Sequence, residues 1–335
     1  MTTTDAETRE AEPGEPTKRG RGGRSEHAAA QNRLGLYLIA PSIIVLLIVI
    51  GYPVVRAVVM SFQKDAGLDP ATGLFVEGGF AGFSNYTHWL FEQCGDVKCP
   101  PGTLGSQFWE SFWTTVFFTV ATVVIEVCLG MWMALVMSRA FKGRGLMRAS
   151  VLVPWSIPTA VTAKLWFFIF AFEGIANRLL GAEILWTGSE WPARFAVIVA
   201  DVWKTTPFIA LLILAGLQII PEDVYEAAKV DGATKWQRFT RITLPLVKPA
   251  LMVAVLFRVL DVLRIFDLPY ILTGGANNTS TLSILVVNQI RQGFNSAAAL
   301  STITFVFIFL VAFVFVRVLG ANVVQTTQSQ QKGAR

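Results

Sequence analysis

Eight charged residues lie inside long apolar stretches: Glu126, Asp201, Asp261 and Asp267 against Lys164, Lys204, Arg258 and Arg264, four acids and four bases. Charged side chains in hydrocarbon are costly, so they pair with one another or line a polar cavity. Arg258, Asp261, Arg264 and Asp267 recur at every third position with alternating sign, which would keep them broadly on one helix face; Asp201 stands three residues before Lys204. Two chemistries fit this set. One is an ion-pair network between helices, the ordinary arrangement of buried charges. The other is a path for a hydroxyl-bearing solute, with carboxylates accepting and basic groups donating hydrogen bonds while Trp166 or Trp203 offers a ring face to a sugar. A net charge of zero over the set suits a neutral solute better than an anion.

Other chemistry is missing. No Gly-x-x-x-x-Gly-Lys-Ser/Thr loop occurs, and no Gly is followed by Lys, so any nucleotide must be bound by another chain. No nucleophile, base and orienting group stand in a catalytic pattern, and a non-enzymatic subunit is expected. The two histidines, His27 and His88, and three cysteines show no metal-ligand spacing, so no metal is expected. Cys94 and Cys99 share a Gly- and Pro-containing loop. They form a disulfide if that loop faces an oxidising compartment, and are otherwise two free thiols. Cys128 lies in an apolar run and is expected to pack there.

The elements that must position these residues are membrane helices. The chain has 335 residues, 53% hydrophobic and only 15% charged, too apolar for an ordinary soluble domain. Six runs approach or exceed the roughly 20 residues that a spanning helix needs: residues 36–55, 112–137, 151–171, 195–220, 250–270 and 298–316. Unpaired backbone amides cannot face lipid, so each run is expected to be helical. The first run lacks a small-residue cleavage site and is read as an anchor that stays in place. With the N-terminus in the cytoplasm, eighteen Lys and Arg fall in cytoplasmic segments and five in the outer loops. The positive-inside rule therefore predicts that both termini are cytoplasmic. The basic residues are scattered between apolar runs instead of forming a patch on a soluble domain, which argues against nucleic acid. Residues 1–33 and 320–335 are polar tails expected to be disordered, the first with a basic stretch beside the membrane that suits anionic lipid headgroups or serves only as an orientation signal.

The segment 221–245, between the fourth and fifth runs, reads as two short helices. Pro221 suits a first helical position, with Glu222 and Asp223 complementing the positive end of the dipole. Gly232 suits the left-handed residue that ends the first helix. A second, amphipathic helix carries Trp236 and Phe239, and Pro245 is expected to stop it. Such a hairpin is a docking knob or, more plainly, a basic loop that only orients the protein.

The spacing Glu226-Ala227-Ala228, three residues including Asp231, Gly232, nine residues, Ile242-x-Leu244-Pro245 resembles the coupling loop of permease subunits in bacterial ABC importers. Phe80-Ala-Gly82-Phe-Ser-Asn85-Tyr86, Trp203-Lys-Thr-Thr-Pro207-Phe208 and Arg264-Ile-Phe-Asp267 through Thr273-Gly274-Gly275 are similar to the maltose-transporter-type sugar permeases, over residues 34–319. Within that class the chain resembles the trehalose importers. The resemblance implies an all-α integral membrane protein of six transmembrane helices, the type I ABC importer permease fold, in the bacterial inner membrane. It also implies that the hairpin sits in a groove of an ATPase subunit, with Glu226 and Gly232 at the contact. The implied partners are a second permease, two ATPase subunits that hold ATP and Mg, and an extracytoplasmic sugar-binding protein; the implied cargo is a disaccharide, trehalose by the nearest resemblance. A secondary transporter using the intramembrane acids as an ion or proton relay is the rival reading from another class, and a non-transporting receptor is a second rival.

Overall fold

The computed structural model describes residues 22–68 and 73–333. Residues 1–21, most of the expected N-terminal tail, and the last two residues lie outside the described set. The helices are α1 (Gly22–Leu46), α2 (Tyr52–Met60), α3 (Ser84–Phe91), α4 (Phe108–Ser138), α5 (Arg144–Ser156), α6 (Thr159–Ile169) and α7 (Ile175–Leu180). They continue with α8 (Glu190–Gln218), α9 (Glu222–Val230), α10 (Lys235–Arg238), α11 (Leu244–Val262), α12 (Asp267–Thr273), α13 (Leu282–Ile290) and α14 (Phe294–Gly333). Among the described residues, five stretches are long and apolar enough to cross a membrane, and a sixth counts if α5 and α6 form one span. The chain divides into two compact units, up to Arg56 and from Ala57.

In the first unit, α1 passes through a π-helical turn, Leu47–Gly51, into the start of α2. The turn has a local cause. Pro53 has no N–H and its ring would clash with the carbonyl four residues back, while Tyr52 N–H bonds to Leu47 O, five residues back, and opens the coil there. Apolar side chains along this rod, such as Leu36 and Ile48, are exposed. The described part of this helix begins at Gly22, ahead of the boundary expected at residue 34.

The second unit is built around α4, α8 and α11. Small residues let their backbones approach closely. A Cβ on Gly130 would come within 2.8 Å of Ile209 Cγ2, and one on Gly216 within 2.4 Å of Ala250 Cβ. One core cluster gathers Phe118, Ala163, Ala200, Val259 and Leu268; a second gathers Met131, Ala134, Ile209, Ile213 and Val247. A third joins Trp89 of α3 to Leu282, Leu285 and Leu300. Between α2 and α4 the chain forms three two-residue antiparallel pairings, Gln63–Lys64 with Gly79–Phe80, Gly67–Leu68 with Phe75–Val76, and Gln93–Cys94 with Val97–Lys98. Asn85 pins this region by donating to the carbonyls of Ser61 and Gln63, at 2.9 and 2.8 Å.

Two expected spans are corrected. The third is not one helix: α5 and α6 meet at 90°. The residue before a proline is driven out of the helical region, and Ile157, before Pro158, is extended with ψ 131°. The fifth run is displaced toward the N-terminus. Its span is Lys235–Val262, after which the chain turns and restarts as α12 at Asp267. At the other end, α14 continues past the boundary expected at 319, because the Gln-rich segment contains no proline and Gln is a fair helix former.

Candidate functional site

The break after α11 decides which of the intramembrane charges meet. Arg258 sits on α11 four residues before the helix end and is 2% exposed. Its Nε donates to Glu126 Oε2 at 2.5 Å and its Nη2 to Glu126 Oε1 at 2.9 Å, an interhelical bidentate pair with α4. Nη2 also donates to Asp201 of α8, and Nη1 to Asp261 Oδ2 at 2.5 Å, one turn on along α11. A planar guanidinium carries five N–H donors in a fixed fork, so one arginine can serve three carboxylates on three helices. Glu126 and Asp201 are buried, whereas the Asp261 side chain is 64% exposed. The cluster thus runs from a sealed interior to an open face.

Thr205 completes it. Its hydroxyl lies 2.5 Å from Glu126 Oε1 and 2.6 Å from the Asp201 carbonyl, and its one proton goes to either. Sequence reasoning missed this residue, although a Thr one turn after Asp201 is a readable signal. Lys204 is within electrostatic range of Asp201 and Asp261, and its Nζ donates to Ile157 O at 2.5 Å. That carbonyl lies at the α5/α6 break, where no helical N–H reaches it, so the lysine ties the break to the cluster.

The other candidates lie elsewhere. Trp166 stacks on Phe170 (centroids 5.2 Å apart, planes at 25°) and meets Trp203 edge-on at 5.8 Å. Its indole N–H is buried without a partner among the described residues, as is the Thr162 hydroxyl one turn earlier. Lys164 is exposed, with its ammonium 5.4 Å above the Phe167 ring. Arg264 turns back on its own chain, Nε to Leu260 O at 3.2 Å, and Asp267 occupies the first turn of α12. Neither joins the cluster. The expected four-residue stripe is therefore corrected to the pair Arg258 and Asp261, because the chain leaves the helix after Val262 and the threefold spacing no longer maps to one face.

The segment 221–245 is held by local bonds. Pro221 is extended (ψ 141°) ahead of α9, whose first turn holds Glu222 and Asp223. Gly232 has φ +75°, and the bonds Ala233 N to Ala228 O (2.9 Å) and Gly232 N to Lys229 O (3.1 Å) make a Schellman closure. Thr234 and Gln237 then form a reciprocal capping box at the start of α10. Contrary to expectation, Pro245 does not end the second helix. The residues Phe239–Thr243 form a π turn in which Leu244 N–H reaches back to Phe239 O, so the coil accommodates Pro245 at the start of α11 and runs on. The same device precedes Pro53. Glu226 and Ala227 are exposed, Ala228 and Ile242 half-buried, and Leu244 and Pro245 exposed. Asp231 caps α9 and is exposed; Val230 (88% exposed) and Trp236 (71%) add an apolar surface. Tyr225 OH lies 3.1 Å from Thr243 Oγ1, tying α9 to the π turn. Cys94 and Cys99 are joined as a disulfide beside His88. Cys128 is exposed on α4 instead of packed, as its run faces outward there.

Residues 126–327, from the buried glutamate through the hairpin to the last span, match the model of the family described as binding-protein-dependent transport system inner membrane component. A trehalose/maltose transport system permease protein, MalF, of Thermococcus litoralis is 38% identical over 294 residues, covering 85% of this chain and 93% of that one. A trehalose transport system permease protein, SugA, of Mycobacterium tuberculosis is 37% identical over 301 residues, covering 89% and 92%. The crystal structure of a bacterial alginate ABC transporter in complex with alginate pentasaccharide-bound periplasmic protein contains a chain with the same fold, at 22% identity and a TM-score of 0.68 over 88% of this chain and 96% of that one. This chain belongs to the binding-protein-dependent transport system inner membrane components, as a permease subunit and not an enzyme.

Proposed function

We propose that the chain forms half of the translocation path of an ATP-driven sugar importer, with trehalose as cargo, and receives the motion of a separate ATPase through residues 221–245. The observation that carries this reading is the exposed hairpin, in which Glu226, Gly232, Trp236 and Val230 form a surface supported by its own caps. The names of the two permease relatives support trehalose. In this reading α5 and α6 together make one crossing, six in all, and the Lys and Arg bias puts both termini and the hairpin in the cytoplasm. A second permease completes the wall, two ATPase subunits hold ATP and Mg, and an extracytoplasmic binding protein delivers the sugar. The secondary-transporter rival gains no support from the relatives.

The cluster takes both of the roles set out from the sequence, divided by depth. Arg258, Glu126 and Asp201 hold α4, α8 and α11 together, and the exposed edge at Asp261, with Lys204 of α8 in electrostatic range, offers acceptors and a donor to a passing sugar, to which Trp203, next to Lys204 in the chain, adds a ring. In proteoliposomes containing the whole complex, labelled trehalose accumulates with ATP and is displaced by maltose more readily than by unrelated disaccharides. Asp261→Asn lowers that uptake while the complex still assembles. Normal uptake by an assembled D261N complex would remove Asp261 from the path, and accumulation by a complex whose hairpin sequence is scrambled would end the coupling proposal.

A further inference from the structure

A polar cavity lies apart from the charge cluster, between the first turns of α4 and the loop after α12. Its volume is about 200 Å³. One wall is Gln107, Glu110, Ser111 and Thr114; the facing wall is Asn277, Asn278 and Ser280, with bare backbone at Gly275. The loop is a shaped wall. Asn277 and Asn278 are both left-handed, with φ 54° and 57°, a conformation that Asn tolerates better than other non-glycine residues, and hydrogen bonds hold the loop in it. Arg194 Nε donates to Asn278 O at 3.1 Å, Asn277 Nδ2 donates to Thr187 O at 2.8 Å, and the Thr273 and Thr279 hydroxyls meet at 2.6 Å. The Ser111 hydroxyl donates across the cavity to Ser280 at 3.4 Å. The Asn278 carboxamide makes no hydrogen bond among the described residues.

The lining chooses among ligand classes. A phosphate or sulfate needs donors only, and the Glu110 carboxylate opposes it. A cation takes carboxylate, hydroxyl and carboxamide oxygens, but Glu110 is the single charged group this lining offers it. Hydroxyls and carboxamides donate and accept at once, as do the hydroxyls of a sugar, and one carboxylate among them is a strong acceptor for a pair of vicinal hydroxyls. The cavity is smaller than the 300 Å³ or more of a drug-sized site and fits a single ring. We infer that it is a binding site for one neutral sugar ring, distinct from the intramembrane cluster. On the orientation proposed above it lies at the outer mouth, where a delivered sugar first meets the chain. The inference rests on the sugar-importer reading for its choice of ligand.

The test uses the complete importer in nanodiscs, with Ser280→Cys on this chain as a reporter labelled by a membrane-impermeant maleimide. Glucose and trehalose at millimolar concentration slow the labelling severalfold, while methylguanidinium and inorganic phosphate do not. Asn278→Gly keeps the left-handed backbone and its carbonyl but deletes the free carboxamide. In the reporter background it raises the half-protecting sugar concentration about fivefold to tenfold, the loss of one hydrogen bond. Labelling that no sugar slows, or that only methylguanidinium slows, overturns the inference; so does protection that is unchanged by N278G. ATP-driven sugar uptake by the reporter complex, measured in liposomes, separates the two claims. Uptake without protection defeats the mouth site alone, whereas absence of uptake of any sugar by the unsubstituted complex defeats the importer reading.

Discussion

The cluster around Arg258 and the hairpin from Pro221 to Pro245 are held by opposite means. Arg258 bonds to residues 57 and 132 positions away in the chain, through buried charges. The hairpin's bonds are mostly three to five residues long and exposed, Thr234 to Gln237 and Ala233 to Ala228 among them, with Tyr225 to Thr243 its one longer tie. The first arrangement exists only when three helices are already packed. The second is written into twenty-five consecutive residues and can present one shape to a partner while the helices behind it move.

The sharpest way to break this contrast is at its buried end. Arg258→Leu leaves Glu126 and Asp201 without their counter-charge, and removing one member of a buried pair costs about 3–5 kcal/mol. The expected outcome is loss of the folded subunit, read as a collapse in yield and melting temperature in detergent. Gly232→Val should do less to stability and more to coupling. A β-branched residue at φ +75° costs about 1–2 kcal/mol, paid locally in the turn between α9 and α10. Membrane insertion and melting should stay near normal while sugar-stimulated ATP hydrolysis by the complex falls; a G232V complex that melts as early as R258L would erase the distinction. Thr205→Val removes the hydroxyl at Glu126 and should lower stability by about 1 kcal/mol, measurable as a shift of a few degrees. The smallest effect belongs to Thr234→Ala, which deletes half of the capping box for about 1 kcal/mol or less in an exposed segment. Amide exchange at Lys235 to Gln237 should quicken with global melting unmoved.

The contrast also explains what the sequence disclosed. Gly232 and the helix start after Pro221 were legible because a helix end is decided by the residues at that end. The cluster was legible only as a list of candidates. Nothing in the spacing tells that Arg258 reaches Glu126 and Asp201 while Lys164, Arg264 and Asp267 do not, since that depends on where α11 stops and how α4 and α8 cross. Two of the broken expectations, span three and the role of Pro245, share a cause. Each turns on how a helix deals with a proline: at Pro158 the chain bends by 90°, and at Pro245 the coil widens by one residue and carries on. Single-sequence reading sees the proline and not which remedy the packing permits.

That second remedy has a mechanical consequence. From Lys235 to Val262 the backbone is one uninterrupted coil of 28 residues, and at about 1.5 Å each it is a stick some 40 Å long. Trp236 stands near one tip and Arg258 near the other, with no hinge loop between them to soak up a displacement. A tilt imposed at the exposed tip is therefore delivered to the arginine that three carboxylates grip.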